Sequence, residues 1–203
     1  MFEGRDSTSE ELFFRVVFSV LWLIVLVGVT VVGYSAKGPS RKQTTHHEGR
    51  LRVTALVFAA IYFGAALFYV LLPSWIMFLS IPLADWFRLI MVGVAVLGLV
   101  IVFWGYRVLG KNWAPSVSGA RKDTVLVTTG LYGFVRHPIY LGIFIFLSTL
   151  ALMTANLLVL LATVALLAVL YASIDEEEAI LIGRFGDEYR EYKKRTPRFI
   201  PHL

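Results

Sequence analysis

The stretch IYLGIFIFLSTLALMTANLLVLLATVALLAVLYASI, residues 139–174, decides the fold because it contains no charged residue. As a single helix it would be about 54 Å long, at about 1.5 Å per residue. The hydrocarbon core of a bilayer is only about 30 Å thick. The chain must therefore turn back within this run. We place the turn around Thr154, Ala155 and Asn156, between two membrane-spanning helices.

Three more apolar segments precede this run, and each reaches the roughly 20 residues that a membrane-spanning helix needs. They are residues 12–34, 53–72 and 86–109. The whole chain of 203 residues is 58% hydrophobic, against roughly 45–50% in soluble domains. The sequence therefore predicts an all-α, polytopic membrane protein with five transmembrane helices, the fourth and fifth forming a hairpin.

The basic residues indicate how the spans are oriented. Segments 35–52 and 107–138 hold five each and the tail after residue 174 holds six, so these segments contain 16 of the 19. Five spans place all three segments on one side, and the positive-inside rule makes that side cytoplasmic. We expect the N-terminus outside and the C-terminus in the cytoplasm, and the short chain favours a prokaryotic cytoplasmic membrane. The net charge of +5 then indicates contact with membrane lipids rather than with nucleic acid.

The composition also excludes several kinds of site. The chain has no cysteine, which removes disulfides, thiolate metal ligands and a thiol nucleophile. His46 and His47 are adjacent in a polar loop, a pattern typical of solvent-exposed histidines, and we predict no metal site. The sequence therefore favours chemistry based on carboxylates, basic side chains and aromatic rings.

The tail beyond the last apolar run has the pattern of a helix. Apolar residues recur at helical spacing through residues 175–194, with acids first and bases last, as suits the helix dipole. We predict a cytoplasmic surface helix that continues from the fifth span and ends before Pro197.

Two polar features lie at the predicted cytoplasmic ends of the fourth and fifth spans. The stretch LVTTGLYGFVRHPIYLG, 126–142, precedes the fourth span, and Pro138 suits a first helical turn, whose free N–H groups form an anion site. The acidic run DEEE, 175–178, lies where the fifth span ends, and one or two of its carboxylates can bind a cationic group. Each feature alone also fits helix capping or a solvated helix end. Together they suit a zwitterion such as S-adenosylmethionine.

These residues resemble the isoprenylcysteine carboxyl methyltransferases and the wider group of small membrane methyltransferases that includes phospholipid N-methyltransferases. The similar segments are 126–142 and EEEAILIGRFGDEYREYKKRTPRFIP, 176–201. The resemblance implies methyl transfer from S-adenosylmethionine to a lipophilic acceptor at the cytoplasmic membrane face, with S-adenosylhomocysteine as product. The acceptor would be a prenylcysteine-like carboxyl or another lipid group. Residues 1–203 would form one domain, with variable spans in 1–104 and a cofactor-binding catalytic half in 105–203.

The resemblance also implies the residues of the site. We expect Arg136 to orient the acceptor, and His137, Tyr140 and Glu178 are candidate bases if the acceptor must lose a proton. The eukaryotic enzymes carry a substrate-associated arginine where this chain has Ser173, so a carboxylate acceptor needs another cation, Arg136 or Arg195. Glu177 would face the amino acid end of the cofactor. The full set of implied cofactor contacts is Thr124, Val125, Leu126, Val127, Tyr132, His137, Pro138, Ile139, Tyr140 and Glu177.

Two other functions stay open on the sequence. An NADPH-dependent membrane oxidoreductase of the sterol-reductase type would have a similar C-terminal architecture, with basic loops holding the cofactor phosphates. A non-catalytic membrane scaffold would bind neither nucleotide. Binding of S-adenosylhomocysteine or NADPH to the purified protein separates the three functions.

Overall fold

The computed structural model describes residues 3–35, 46–72, 77–112 and 124–200. Within these ranges the chain is helical apart from short connections, which confirms the all-α prediction. Two single 3₁₀ turns, Met77–Leu79 and Gly110–Asn112, flank the third long helix. The α-helices are α1 (Glu3–Ser35), α2 (His46–Leu71), α3 (Asp85–Leu109), α4 (Leu131–Phe134), α5 (Pro138–Thr154), α6 (Leu157–Phe185) and α7 (Asp187–Arg195).

Four of these helices are long and apolar enough to cross a membrane, namely α1, α2, α3 and α6. Helix α5 is also apolar but has 17 residues, which corresponds to about 25 Å. The sequence predicts five spans, and the structure confirms an integral membrane protein with four to five apolar helices that can span the membrane. The basic segments 36–45 and 113–123 lie outside the described residues, and the orientation stays a prediction.

The break in the long apolar run lies where its length requires one. Ala155 adopts a left-handed conformation with φ of 47°, and Asn156 begins the next helix. The Asn156 side chain accepts hydrogen bonds from the N–H groups of Leu158 at 3.0 Å and Val159 at 3.3 Å. The backbone N–H of Ile81 donates to the Ala155 carbonyl at 2.6 Å, so the connection between α2 and α3 packs on this turn.

The tail differs from the continuous surface helix predicted over 175–194. Helix α6 runs without interruption to Phe185, and Gly186, with φ of 58°, separates it from α7. The N–H of Gly186 donates to the carbonyl of Ile182 at 2.8 Å, which closes the last turn of α6. Glycine is common at this position because it adopts positive φ without steric cost. The break redirects α7 against the segment before α5.

Helices α3 and α5 approach each other closely through small residues. A Cβ on Gly98 would lie 2.9 Å from the carbonyl oxygen of Gly142, and a Cβ on Gly142 would lie 2.8 Å from that of Gly98. Such small-residue contacts are typical of packed membrane helices. The same packing places Gly105, near the end of α3, against Ile139 at the start of α5. The candidate site lies at this end of the two helices.

Candidate active site

A buried carboxylate, Glu178 on α6, joins the segment before α5 to the end of the chain. Its side chain is 2% exposed. Its Oε1 accepts hydrogen bonds from Arg136 Nη2 at 2.9 Å and Nε at 3.2 Å, and lies 3.1 Å from His137 Nε2. Its Oε2 lies 2.7 Å from Lys193 Nζ and accepts from Arg198 Nη2 at 3.2 Å. Both oxygens are thus occupied by basic side chains.

Arg136 is buried, and its remaining nitrogen is also occupied. Its Nη1 donates to the backbone carbonyls of Lys193, at 3.1 Å, and Thr196. The backbone N–H of Arg136 donates to the carbonyl of Pro197 at 2.9 Å, and the backbone N–H of His137 donates to the carbonyl of Arg198 at 3.3 Å. Every nitrogen of the Arg136 guanidinium therefore has a partner inside the protein. These hydrogen bonds hold the segment after α7 against the start of α5.

Arg198 differs from Arg136 because its side chain is 23% exposed. Its Nη2 donates to Asp175 at 2.6 Å as well as to Glu178, and its guanidinium lies 5.8 Å from the ring centre of Tyr171. Burial lowers the pKa of Arg198, but its hydrogen bonds to the two carboxylates outweigh this effect and raise the pKa above its ordinary value. The guanidinium remains charged at the edge of the cluster.

An aromatic cluster lies beside this guanidinium. The ring of Phe199 lies 5.4 Å from that of Phe144, 6.3 Å from that of Tyr171 and 6.5 Å from that of His137. The ring of Tyr140 lies 5.7 Å from His137 and 6.3 Å from Phe144. The five rings connect α5, α6 and the end of the chain. They form an apolar wall next to a positive charge.

Glu177, the neighbour of Glu178, is partly exposed and lies among tyrosines. Its carboxylate hydrogen-bonds the side chain of Tyr140, and its negative charge also acts on Tyr132 and Tyr106. Burial raises the pKa of the Tyr132 hydroxyl, and the charge of Glu177 raises it further. The three phenols and the carboxylate thus form a second polar group beside the first.

Helix α5 begins without a side-chain cap. Pro138 is its first residue and has no N–H, so the first N–H groups of the helix belong to Ile139 and Tyr140. N–H groups in a first turn have no partner within the helix, and the helix dipole makes this end positive. The start of α5 therefore suits an anionic group, next to the carboxylate of Glu177.

Residues 90–183 match the family model described as the isoprenylcysteine carboxyl methyltransferase (ICMT) family. Over these residues the chain is similar to the isoprenylcysteine carboxyl methyltransferases. The match contains segment 126–142, overlaps the start of segment 176–201, and includes both Arg136 and Glu178.

Individual methyltransferases are also similar to parts of this chain. Protein-S-isoprenylcysteine O-methyltransferase of Schizosaccharomyces pombe is 40% identical over 94 residues, covering 45% of this chain and 40% of the relative. Methanethiol S-methyltransferase 1 of Bradyrhizobium diazoefficiens is 45% identical over 71 residues, covering 35% and 24%. The solved structure of a eukaryotic intramembrane Ras methyltransferase, an isoprenylcysteine carboxyl methyltransferase, superposes with a TM-score of 0.53 at 25% identity, covering 79% of this chain and 55% of that one. The chain spans about half or less of the length of these relatives.

Most of the predicted site residues lie at one end of the bundle. Val125 is exposed in the extended segment before α4, and its N–H donates to Asn112 Oδ1 at 3.2 Å. Thr124, Leu126 and Val127 are partly exposed in the same segment. Arg195 is exposed in the last turn of α7, outside the group of side chains that contact Glu178.

Four further residues belong to this end of the bundle although the sequence alone did not indicate them. Lys193 and Arg198 contact Glu178, and Phe199 closes the aromatic wall. Their segment, KKRTPRFIP, lies within the similar stretch, but its similarity does not reveal which cation reaches a buried acid. Tyr106 comes from α3, and only the packing of α3 on α5 places it near Glu177.

Proposed function

We propose that this protein transfers the methyl group of S-adenosylmethionine to a lipophilic acceptor at the membrane surface. One observation carries the proposal. Arg136 and His137, before α5, meet Glu178, on α6, across 42 and 41 residues of sequence. This contact brings the start of α5 and the acidic end of α6 together within the segment that is similar to the methyltransferases.

The residues at this junction fit the amino acid end of the cofactor. The N–H groups of Ile139 and Tyr140 suit its carboxylate, and the carboxylate of Glu177 suits its ammonium group. The partly exposed segment before α4 supplies apolar side chains for the nucleoside. We therefore propose that the cofactor site consists of ten residues, namely Thr124, Val125, Leu126, Val127, Tyr132, His137, Pro138, Ile139, Tyr140 and Glu177.

S-adenosylmethionine, when bound, supplies a methyl group on a positively charged sulfur, which a nucleophile attacks directly. The work left to the protein is to hold donor and acceptor in line and to exclude water. Arg136 and Glu178 serve as positioning residues, because they form an ion pair with each other. Among the described residues, the other nitrogen of the guanidinium and the other oxygen of the carboxylate also have hydrogen-bond partners. A carboxylate acceptor needs no base under this scheme.

We assign the orientation of an acidic acceptor to Arg198 rather than to Arg136 or Arg195. The Arg136 guanidinium is fully occupied, whereas Arg198 bonds to its two carboxylates through Nη2 alone and is partly exposed. The ring of Tyr171 lies beside it, the rings of Phe199 and Phe144 continue the aromatic wall, and this surface suits an apolar chain. A charged group next to an apolar wall fits a lipophilic carboxylic acid.

We place the site at the cytoplasmic surface of the membrane. Basic side chains concentrate at this end, where Arg136 from the segment before α5 and Lys193 and Arg198 from the tail surround Glu178. The positive-inside rule favours the cytoplasm for such an end. The cofactor would then enter from the cytoplasm and the acceptor from the bilayer.

Ligand binding tests the proposed function directly. The full chain, purified in detergent, is expected to bind S-adenosylhomocysteine with a micromolar dissociation constant and to show no saturable binding of NADPH. The measurement is isothermal titration calorimetry with both nucleotides. Binding of NADPH alone would support the oxidoreductase, and binding of neither would support the scaffold.

Replacing Arg198 with glutamine is expected to raise the KM for a lipophilic carboxylate acceptor about 10- to 100-fold, the usual loss for a hydrogen bond to a charged group. The dissociation constant of S-adenosylhomocysteine should change less than about twofold. The measurement is transfer of a labelled methyl group to the acceptor.

The matched control for this change is Arg195→Gln, because Arg195 is exposed three residues earlier in the chain. It should leave the KM unchanged. A small thiol acceptor should be methylated equally well by the wild type and by Arg198→Gln. Equal losses with the acid and the thiol would show that Arg198 acts on the fold and not on the acceptor.

A further inference from the structure

A second buried charge lies at the other end of the bundle, about 25 Å along α5 from Glu178. Arg88, in the first turn of α3, has a side chain that is 5% exposed. Its Nη1 donates to Glu11 on α1 at 2.7 Å and lies 3.4 Å from Asp85. Its Nε donates to the carbonyl of Met153, near the end of α5, at 2.9 Å. One guanidinium thus connects three helices.

Two aromatic rings and a second arginine complete this cluster. The guanidinium of Arg88 lies 3.7 Å from the ring centre of Phe14, and that of Arg15 lies 5.1 Å from the ring centre of Tyr69 on α2. Glu11 and Arg15 are one helical turn apart on α1, so both face the same neighbours. Each of the two guanidinium groups therefore lies over an aromatic ring of the cluster.

Two buried donor atoms of the cluster, Arg88 Nη2 and Arg15 Nε, have no hydrogen-bond partner in the described part of the chain. Buried polar groups are nearly always satisfied, and every N–H left over here is a donor. The cluster therefore has the chemistry of a site for an acceptor oxygen.

The basic and acidic side chains of the cluster differ in how far they are exposed. Arg88 and Tyr69 are buried, whereas the side chains of Glu11 and Asp85 are 42% and 46% exposed. Donors for an anion thus lie inside and carboxylates lie towards the surface. A phospholipid with an amine headgroup has the same order, because its phosphate adjoins the glycerol and its ammonium group projects outwards.

Exposed apolar side chains continue on both helices that carry the acids. Phe13 and Val16 are exposed on α1, and Leu89 and Ile90 are exposed on α3. Trp86, also exposed, lies at the start of α3, and tryptophan is typical of the membrane interface. Acyl chains attached to a headgroup in the cluster would run along these surfaces.

We propose that this cluster binds the headgroup of an ethanolamine phospholipid. The phosphate oxygens accept hydrogen bonds from Arg88 Nη2 and Arg15 Nε, and the primary ammonium donates to the carboxylates of Glu11 and Asp85. A choline headgroup has no N–H to donate, and a glycerol headgroup has no positive charge to offer. The site is independent of the proposed methyl transfer at the other end of the bundle.

The test is native mass spectrometry of the full chain, purified in detergent and titrated with dioleoyl lipids that carry ethanolamine, choline or glycerol headgroups. The ethanolamine lipid is expected to bind about tenfold more tightly than the other two. Arg15→Gln and Glu11→Gln should each remove this preference. The control variant Arg190→Gln, in an exposed pair with Asp187 on α7, should retain it.

Soluble competitors separate the two sources of a phosphate group. O-phosphoethanolamine is expected to displace the bound ethanolamine lipid at lower concentration than inorganic phosphate does. Equal binding of the three lipids, tighter binding of the glycerol lipid, or equal competition by the two soluble phosphates would each overturn the proposal. Arg88→Lys keeps the charge but loses the forked donors, and it should weaken the preference while the chain still elutes as a folded protein.

Discussion

Replacing Glu178 with glutamine is expected to lower the free energy of unfolding by about 3–5 kcal/mol, the usual effect of removing one partner of a buried ion pair. The substituted amide keeps the shape of the carboxylate but leaves Arg136 buried without a counter-charge. Lys193 and Arg198 lose the same anion, and the segment after α7 loses its attachment to α6. For a chain of this length the melting temperature should fall by about 10 °C. Thermal unfolding in detergent, followed by tryptophan fluorescence, measures the change.

The matched control for this change is Glu188→Gln. Glu188 is exposed in the first turn of α7, so its loss of charge should alter the free energy of unfolding by less than about 0.5 kcal/mol. An unchanged melting temperature in Glu178→Gln would contradict the structural role of the buried carboxylate. It would also leave Arg136 and Glu178 available for a direct part in the reaction.

The neighbouring substitution Glu177→Gln should act on binding and not on stability. Glu177 is partly exposed and hydrogen-bonds Tyr140, so its neutral form costs the fold little. If its carboxylate holds the ammonium group of the cofactor, the dissociation constant of S-adenosylhomocysteine should rise about 100-fold, because a hydrogen bond between two charged groups is lost. The melting temperature of the protein without ligand should stay within about 2 °C of the wild type. Calorimetric titration and thermal unfolding together measure both quantities.

Glu176 provides the control for Glu177→Gln, because it is the preceding acid on the same helix. Glu176 points about 100° away around the helix from Glu177, so Glu176→Gln should bind S-adenosylhomocysteine within about twofold of the wild type. Equal weakening in the two variants would show that the charge of the acidic run matters and not the position of one carboxylate. Unchanged binding in Glu177→Gln would remove this residue from the cofactor site.

Glu177 and Glu178 show how much of the site the sequence predicts. Their spacing on a helix shows that they face different directions, but it does not show which one faces which group. In the structure Glu178 meets the cations of the chain and Glu177 meets the tyrosines. Arg136 and Glu178 were both expected to serve the reaction. The structure pairs them with each other, because a buried charge is stable only beside an opposite one.

The sequence also does not show which cation of the tail lies at the site. The sequence indicates Arg136 and Arg195 as candidate cations for an acidic acceptor, and it does not distinguish Arg198 from the other basic residues of the tail. The similarity of 176–201 to known methyltransferases marked the segment as important. However, only the break at Gly186 and the return of the chain across α5 bring Arg198 beside Asp175 and the aromatic wall.

The sequence by itself determined that this is a helical membrane protein and that the run 139–174 must break. Both conclusions follow from local quantities, namely the length of an apolar segment and the thickness of a bilayer. The tertiary structure alone decided which charges neutralise one another, at the Glu178 end and around Arg88 at the other. Ion pairing depends on distance and burial across helices that are far apart in sequence, and a list of residues in order contains neither quantity.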